Sequence, residues 1–584
     1  MSQQPTTSLL QVDLQRGQTR RLPVSEADRS VDLGGRGLAG ALRDPWAHLA
    51  WDDPEAPIVL CPGRLAGVEL PGTGRLTAAW TSPLTGTSAD AGFGGRLGGA
   101  LARAGLAGIV LTGRATSPVG LVIRDTEDVL VDATVVAGLP TPAVSAALTA
   151  LDGALVTGPA AWNGGSSLAG AVVDTWHGPC RGGLGLALAA KNCCFVAATG
   201  HGRVPVADPA GLDRARAAIL RLIGASPALG PGGLGGHGSA ALFDLTHGRR
   251  MMPTRNFRET FFPQAPLVNA PRLEAQWGSL GTACPGCPVA CHRLAAGGIP
   301  LPGFDALSHF TALLGLADGG LVVTAQATCC RLGLDPVSVA ATLATQAECD
   351  GREPSAAWVL AAIAALADGR DAVREGARGA KALAAARGRP ETAMVVKGLE
   401  LPAFDPRGAY GLALGLAIGA TGPDAWRAGC LAHELLRKPV ATDRFTFEGK
   451  ARAVFLGENA TAAMDSLGVC PWLALGTSLE EWGQALAALT GEEVTAGGLA
   501  RLGERTVFRE RQQGARRGLT ARDDDLPERF FREPGSSGDG IEVPPLGRED
   551  FLSARGKYYR LRGLTPDGLP DPARARELDL PWTR

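Results

Sequence analysis

The chain has 584 residues, enough for several domains and more than one sizeable core. Its 57 basic and 58 acidic residues give a formal charge of -1, so the balance points to neither a nucleic-acid nor a membrane partner. The longest nearly unbroken apolar run, around Ala356–Ala367, is too short to span a bilayer. The opening MSQQPTTSLLQVDLQRG has no basic region followed by an apolar one, and the pair Arg20-Arg21 leads into a polar stretch. A cytoplasmic protein is expected, whose 12 cysteines serve as thiols or metal ligands rather than disulfides.

The first two hundred residues read mainly as strands and turns. LLQVDLQRGQTRRLPV alternates apolar and polar around Gly17, which predicts a hairpin. Short β runs follow in APIVLCPG, RLTAAWTS, GIVLTGRA and GLVIRD, interrupted by one helical segment, Leu97–Ala104. At Asp208 the period changes. Asp208 is an N-cap and Pro209 occupies the first helical turn of LDRARAAILRLI. Beyond a Gly-rich loop and a cysteine stretch come helices over Leu321–Leu332, Pro336–Thr345 and Ser355–Ala367, with Asp371–Arg387 a further amphipathic candidate. A third section opens near Lys397. The charged, Pro-rich tail from Ala521 ends in Phe530, Phe531, Tyr558 and Tyr559 and is expected to pack over the body. The expected class is α+β: a β-rich domain over 1–207, then mainly helical domains over 208–396 and 397–584.

The stretch GTACPGCPVACHR puts three soft ligands, Cys284, Cys287 and Cys291, on a tight loop. Zinc would call for a second close pair of ligands, and the next cysteines, Cys329 and Cys330, are adjacent in sequence. Radical enzymes built on S-adenosylmethionine use three cysteines with the longer gap first, the reverse of this order. Thiolates separated by Gly and Pro suit an iron–sulfur cluster, where a distant fourth cysteine commonly completes the set. That fourth ligand must come from Cys329, Cys330, Cys349, Cys430 or Cys470. Cys470 ends the run Asp465–Cys470, DSLGVC, where Gly468 is placed to end a helix. The others lie in apparent helices, where a small buried thiol is the ordinary reading.

From end to end, the chain resembles the tungsten-containing aldehyde:ferredoxin oxidoreductases. The resemblance rests on the ordered series GGRGLAG, TSPLTGTSADAGFGG, AGIVLTGRA, TGPA, RGGLG…AAKN, PTRNF, the cysteine stretch, KGLELPAFDPRGAYG, DSLGVC and LPERF. It implies that the N-terminal β-rich domain is a base for a tungsten (or molybdenum) bis-pyranopterin, closed over by two helical domains. A [4Fe–4S] cluster would be held by Cys284, Cys287, Cys291 and Cys470. The family grips each pterin with Asp-x-x-Gly-Leu-(Asp/Cys). DSLGVC carries Asp465, Gly468 and, in place of leucine, Val469. The other copy aligns with CRLGLD, where Cys330 replaces the leading aspartate and Asp335 remains; a thiol is a poor acceptor for two amine donors. Arg75 and an Asp90–Gly95 turn with Gly92, Gly94 and Gly95 correspond to the phosphate region. So does the segment with His177, Gly178, Arg181, Gly182 and Gly183, and a Mg2+ ion would bridge the phosphates near Gly92 and Gly178.

The family's chemistry oxidises an aldehyde to an acid with help from a glutamate and a histidine. The glutamate position aligns with Asp305, and the histidine position with Ala425, beside Trp426, which is placed to fill part of the pocket. His309, four residues after Asp305, shares its helix face; a carboxylate there would raise the imidazole pKa and make a proton relay, the ordinary alternative being a helix-surface pair. His433 is too far along the chain to replace the histidine, and His292 is placed to tune the cluster. The implied partners are a small aldehyde or acid derivative and ferredoxin or an electron-transfer subunit, with a homodimer among the assemblies allowed. Three readings follow: an aldehyde oxidoreductase of altered substrate choice, a relative reducing an aromatic acyl thioester or activated acid, and a degenerate iron–sulfur scaffold.

Overall fold

The computed structural model describes residues 7–125, 127–174, 178, 180–369, 374–437 and 440–582. The N-terminal region is built on two mixed sheets, and the remainder is largely helical. The first sheet uses β1 (Ser8–Asp13), β2 (Gln18–Pro23), β3 (Ile58–Pro62), β4 (Leu76–Thr81), β5 (Ser88–Phe93) and β6 (Leu106–Thr112), in the order β2-β1-β6-β3-β4-β5. The predicted hairpin is β1–β2, closed with Asp13 opposite Gln18 and Gly17 at φ +65. Strands β3 and β4 are central and buried along their whole length, which is why IVLCP and LTAAWT read as unbroken apolar runs. The second sheet uses β7 (Val119–Arg124), β8 (Glu127–Asp132), β9 (Gly153–Val156), β10 (Val172–Val173) and β11 (Cys193–Thr199), in the order β10-β9-β11-β7-β8.

Two expectations for this region are corrected. The segment expected as an Asp90–Gly95 turn is mostly strand, because Asp90, Gly92 and Phe93 pair with Ala79, Thr77 and Leu76 of β4. More than one helix interrupts the strands: besides α2 (Leu97–Arg103), these include α1 (Gly35–Arg43) and α3 (Leu184–Ala190). Helix α1 lies in Gly-rich sequence of low helix propensity, α3 is Leu- and Ala-rich but follows the Gly182-Gly183 pair, and both pack against the sheets.

The helical region opens with α4 (Pro209–Ala225), where the Asp208 side chain accepts the Gly211 N–H as an N-cap. Helices α5 (Phe304–Ser308), α6 (Gly319–Leu332), α7 (Pro336–Asp350), α8 (Lys450–Leu467) and α9 (Ala496–Arg516) position the site. The predicted Ser355–Ala367 helix runs Ala356–Asp368 with Ser355 as its cap. Of the Asp371–Arg387 candidate, residues 371–373 lie outside the described residues, and the rest is a short turn at Gly376–Arg378 followed by a helix over Ala380–Ala386. Phe530, Tyr558 and Tyr559 of the tail are buried, as expected from their apolar rings. Among the described residues no helix is long and apolar enough to cross a membrane.

Candidate functional site

The three clustered cysteines lie on the tip of a β-hairpin, β12 (Leu280–Thr282) with β13 (His292–Leu294), registered with Thr282 opposite His292. Within the tip the Cys287 N–H donates to the Cys284 carbonyl at 3.1 Å, and Gly286 and Ala290 adopt positive φ. Cys470 arrives from the far end of α8. That helix stops at Gly468 (φ +78), the Val469 N–H returns to the Met464 carbonyl, and the Cys470 N–H is held by the Gly72 carbonyl at 2.9 Å. Burial pushes the Cys470 thiol up to about 11, opposed by the charge of Arg75 and reinforced by Cys284 and Cys287. Burial also raises Cys291, with Cys470, Cys284 and Cys287 all adding to the effect. The four sulfurs therefore share one electrostatic neighbourhood. Among the described residues no three His, Cys, Asp or Glu groups close around a single metal-ion position.

The reason Cys470 reaches this point is a glycine-on-glycine contact. A Cβ on Gly468 would stand 2.7 Å from the Gly63 Cα, and the Arg64 and Leu65 N–H groups donate to the Ser466 and Leu467 carbonyls at 3.1 and 3.0 Å. DSLGVC is thereby sewn to the loop after β3.

Two cavities flank the cysteines. The larger, ≈ 260 Å³, is lined by charged groups that include Arg75, Asp90, Arg181, Asp424, Arg427 and Asp465. Arg75 donates to the Gly92 carbonyl at 2.6 Å. Asp465 faces Arg36 at 3.2 Å, and Arg36 clasps Glu510 at 2.7 and 2.8 Å. Arg427 forks onto both oxygens of Asp90. Burial opposes ionisation of Asp90, but Arg427 and Arg36 outweigh it and hold its pKa below the usual carboxylate range. Arg181 is fixed by the Glu400 and Pro423 carbonyls at 2.9 and 2.8 Å. Gly182, at φ +89, turns its carbonyl onto the Trp80 and Ser82 side chains, and a side chain on Gly183 would strike Pro83. Gly94 and Gly95 lie buried just beyond β5. The smaller cavity, ≈ 190 Å³, is lined by Gly178, Cys291, His292, Gln326 and Trp472, among others. His177 lies outside the described residues.

Asp305, in the first turn of α5, accepts the Ala403 N–H at 3.0 Å. Burial raises its pKa; the Ala403 N–H and Arg181 oppose the shift, and the charge of Asp424 adds to it. The expectation for His309 is corrected in direction. Burial lowers its pKa to about 4, the Leu401 carbonyl opposing and Arg181 adding to the effect. Its Nε2 lies 3.2 Å from the Leu401 carbonyl, and the Asp305 carboxylate is engaged by Ala403. The imidazole is neutral and buried, neither a surface pair nor half of a charged relay. Asp335 caps α7 through the Val337 and Ser338 N–H groups at 3.1 and 3.0 Å. Ala425 is buried, and Trp426 lines the larger cavity, stacked edge-on against Trp472 at 4.3 Å.

Sequence reasoning did not single out Arg36, Asp424, Arg427, Glu510 or Gln326 as site residues. Arg36 carried a signal, a lone charge inside the small-residue run GGRGLAG. Arg427 had only its place in the segment that lost the histidine.

Two family profiles match this chain. "Aldehyde ferredoxin oxidoreductase, N-terminal domain" covers residues 9–200, and "Aldehyde ferredoxin oxidoreductase, domains 2 & 3" covers residues 214–580. The chain belongs to the aldehyde ferredoxin oxidoreductase family. The tungsten-containing aldehyde ferredoxin oxidoreductase of Pyrococcus furiosus is 30% identical, over 96% of this chain and 97% of the relative. That of Thermococcus kodakarensis is 29% identical over 98% of each. Among solved structures, the active site complex BamBC of benzoyl coenzyme A reductase, bound to 1,5-dienoyl-CoA, has a TM-score of 0.81 at 19% identity. The alignment covers 98% of this chain and 96% of that one and shows a shared fold. As an aldehyde ferredoxin oxidoreductase-like enzyme, this chain is an oxidoreductase.

Proposed function

We propose that the enzyme uses a tungsten (or molybdenum) bis-pyranopterin and one [4Fe–4S] cluster to interconvert an aldehyde and its carboxylic acid. Electrons would pass to ferredoxin or to an electron-transfer subunit. The observation that carries this reading is that Cys470 and the hairpin cysteines act on one another electrostatically, with a cavity lined by charged groups and a second, smaller one close by.

The donor set fits these groups. Four cysteines can ligate a cluster as thiolates, losing their protons to solvent as they bind. Arg75, lining the larger cavity and acting electrostatically on Cys470, suits a pterin phosphate. A Mg2+ ion at the Gly92 carbonyl would have to displace Arg75 from it, so phosphate contact is assigned to Arg75 first. Asp465, with Gly468 and Val469 shaping the turn behind it, would accept pterin N–H groups while keeping Arg36. When bound, the cofactor supplies two-electron exchange at the metal and single-electron passage through the cluster.

The chain's own residues do the rest. Arg181, locked by two carbonyls, presents a fixed cation beside Asp305 that suits the carboxylate of the acid. Asp305, with its pKa raised, can hold or release a proton at its carboxyl oxygen near the reacting group. Trp426 and Trp472 narrow the space and exclude water. The division into 1–207, 208–396 and 397–584 belongs to the same reading.

Anaerobic purification and metal analysis test it: about four irons per chain with tungsten or molybdenum, and aldehyde-dependent reduction of a viologen dye. Iron without either metal would overturn the reading in favour of an iron–sulfur scaffold. A second reading, reduction of an acyl thioester, is favoured by the histidine position held by Ala425 and by the fold shared with benzoyl coenzyme A reductase. Full metal content with thioester but no aldehyde turnover would select it.

A further inference from the structure

The motif CRLGLD has a thiol where a carboxylate was expected, yet its surroundings are not those of an abandoned site. Gln326 precedes Cys330 by one turn of α6, so the two side chains share a face. Its Nε2 donates to the Cys330 Sγ at 3.2 Å. Burial pushes that thiol up to about 12, so it stays neutral and is a weak acceptor. The other end of the amide has no such use. Gln326 Oε1 is buried and has no hydrogen-bond partner among the described residues. A buried acceptor without a donor is unfavourable and calls for an explanation.

The place to which this side chain belongs is the ≈ 190 Å³ cavity beside Cys291, His292 and Trp472. Opposite it stands Gly178, where an added Cβ would lie 3.6 Å from the Cys330 Sγ and 3.7 Å from the Gln326 Nε2. Asp335, the remaining carboxylate of the motif, has both oxygens engaged in capping α7. Among the described residues the Gln326 oxygen is thus a buried side-chain acceptor without a donor, on a residue that lines this cavity. Cys330 holds the amide by its nitrogen, which leaves the oxygen for a ligand.

We propose that Gln326 takes over the role of the missing aspartate, its Oε1 accepting an N–H of a flat, amine-bearing heterocycle, the second pterin. This rests on the cofactor reading above. Cys330 acts as a positioning residue that fixes the rotamer of the amide. No proton is transferred, so pterin contact here is independent of pH near neutrality.

The test uses holoenzyme purified anaerobically from Q326M, which keeps the length and removes the acceptor, and from Q326E, which keeps an acceptor. Q326A serves as a second acceptor-free variant. Pterin per chain is measured by fluorescence after oxidative release, and tungsten, molybdenum and iron by elemental analysis. Q326M and Q326A are expected to lose at least half of the pterin and of the pterin-bound metal, with iron unchanged. Q326E and the double variant Q326M/C330D are expected to return to wild-type loading. Wild-type pterin content in Q326M, or a loss that neither carboxylate restores, overturns the inference while leaving the cofactor reading intact. Wild-type protein with iron but no pterin overturns both.

Discussion

Replacing Arg427 by Met removes the main counter-charge from the larger cavity. Arg427 lies 2.9 Å from one oxygen of Asp90 and bonds the other, with Asp465 and Asp424 at 3.7 and 3.8 Å. The side chains of Arg427 and Asp90 are 18% and 8% exposed, so the remaining carboxylate is left largely desolvated. Breaking a buried pair costs about 3–5 kcal/mol. Arg36, still 4.0 Å from Asp90, places the expected loss at the low end of that range, about 3 kcal/mol. With an unfolding entropy of about 2.1 cal/mol/K per residue, 584 residues unfolding as one unit give about 1.2 kcal/mol/K, and the melting temperature falls by about 2–3 °C. The pH dependence carries the sharper sign. In the native protein Asp90 is depressed below its usual value, so its stabilisation is present at neutral pH and lost only as pH falls through that lowered pKa. Burial is already the largest single influence on Asp90, and without Arg427 it is opposed mainly by Arg36, so the Asp90 pKa rises. A raised carboxylate destabilises as pH rises from its unfolded through its folded value, so the gap between variant and wild type must narrow as pH falls from about 7.5 to about 4. Thermal unfolding of anaerobic samples with matched iron content reads both. An equal gap at the two pH values would refute the reasoning.

Other expectations concern individual groups. Cys470→Ser should lower iron per chain at least twofold while circular dichroism is unchanged, because the backbone of residue 470 stays bonded to Gly72; full iron content would remove Cys470 from the cluster. His309, lowered to about 4, adds stability that is complete above its unfolded pKa of about 6.5 and lost as pH falls from there through 4, on the order of 3 kcal/mol in all. His309→Gln should flatten stability across that window, whatever it does to stability at pH 7; an unchanged slope between pH 6.5 and pH 4 would count against a buried neutral imidazole. Asp424→Asn removes a charge that raises the Asp305 pKa. The limb of the pH–rate profile governed by Asp305 should move to lower pH, and a limb that moves upward or stays in place would show that Asp424 does not act on it.

Much of the organisation was legible in the chain alone, because it depends on short-range chemistry. The spacing Cys284-x2-Cys287-x3-Cys291, the stop at Gly468, the Asp208 cap and the Gly17 hairpin all specify a backbone conformation within a few residues. The β5 strand was missed because SADAGF contains no β-branched residue, and pairing with β4, not propensity, makes it extended. The helix α1 was missed for the parallel reason, its glycines tolerated only because the helix is packed between β3, β4, α8 and α9.

The character of the site lay beyond the reach of sequence because it is set by groups far apart in the chain. Arg36 and Glu510, 474 positions apart, together prepare the surroundings of Asp465. The neutral state of His309 follows from burial on every side, which outweighs the influence of a neighbour four residues away. Sequence alone determined which residues can bind metal and where the chain can turn. Only the tertiary structure decided that Cys470 lies within electrostatic reach of the hairpin cysteines, which carboxylates face a cation, and that the Gln326 oxygen beside Cys330 has no partner among the described residues, since desolvation and long-range pairing exist only once the chain has folded.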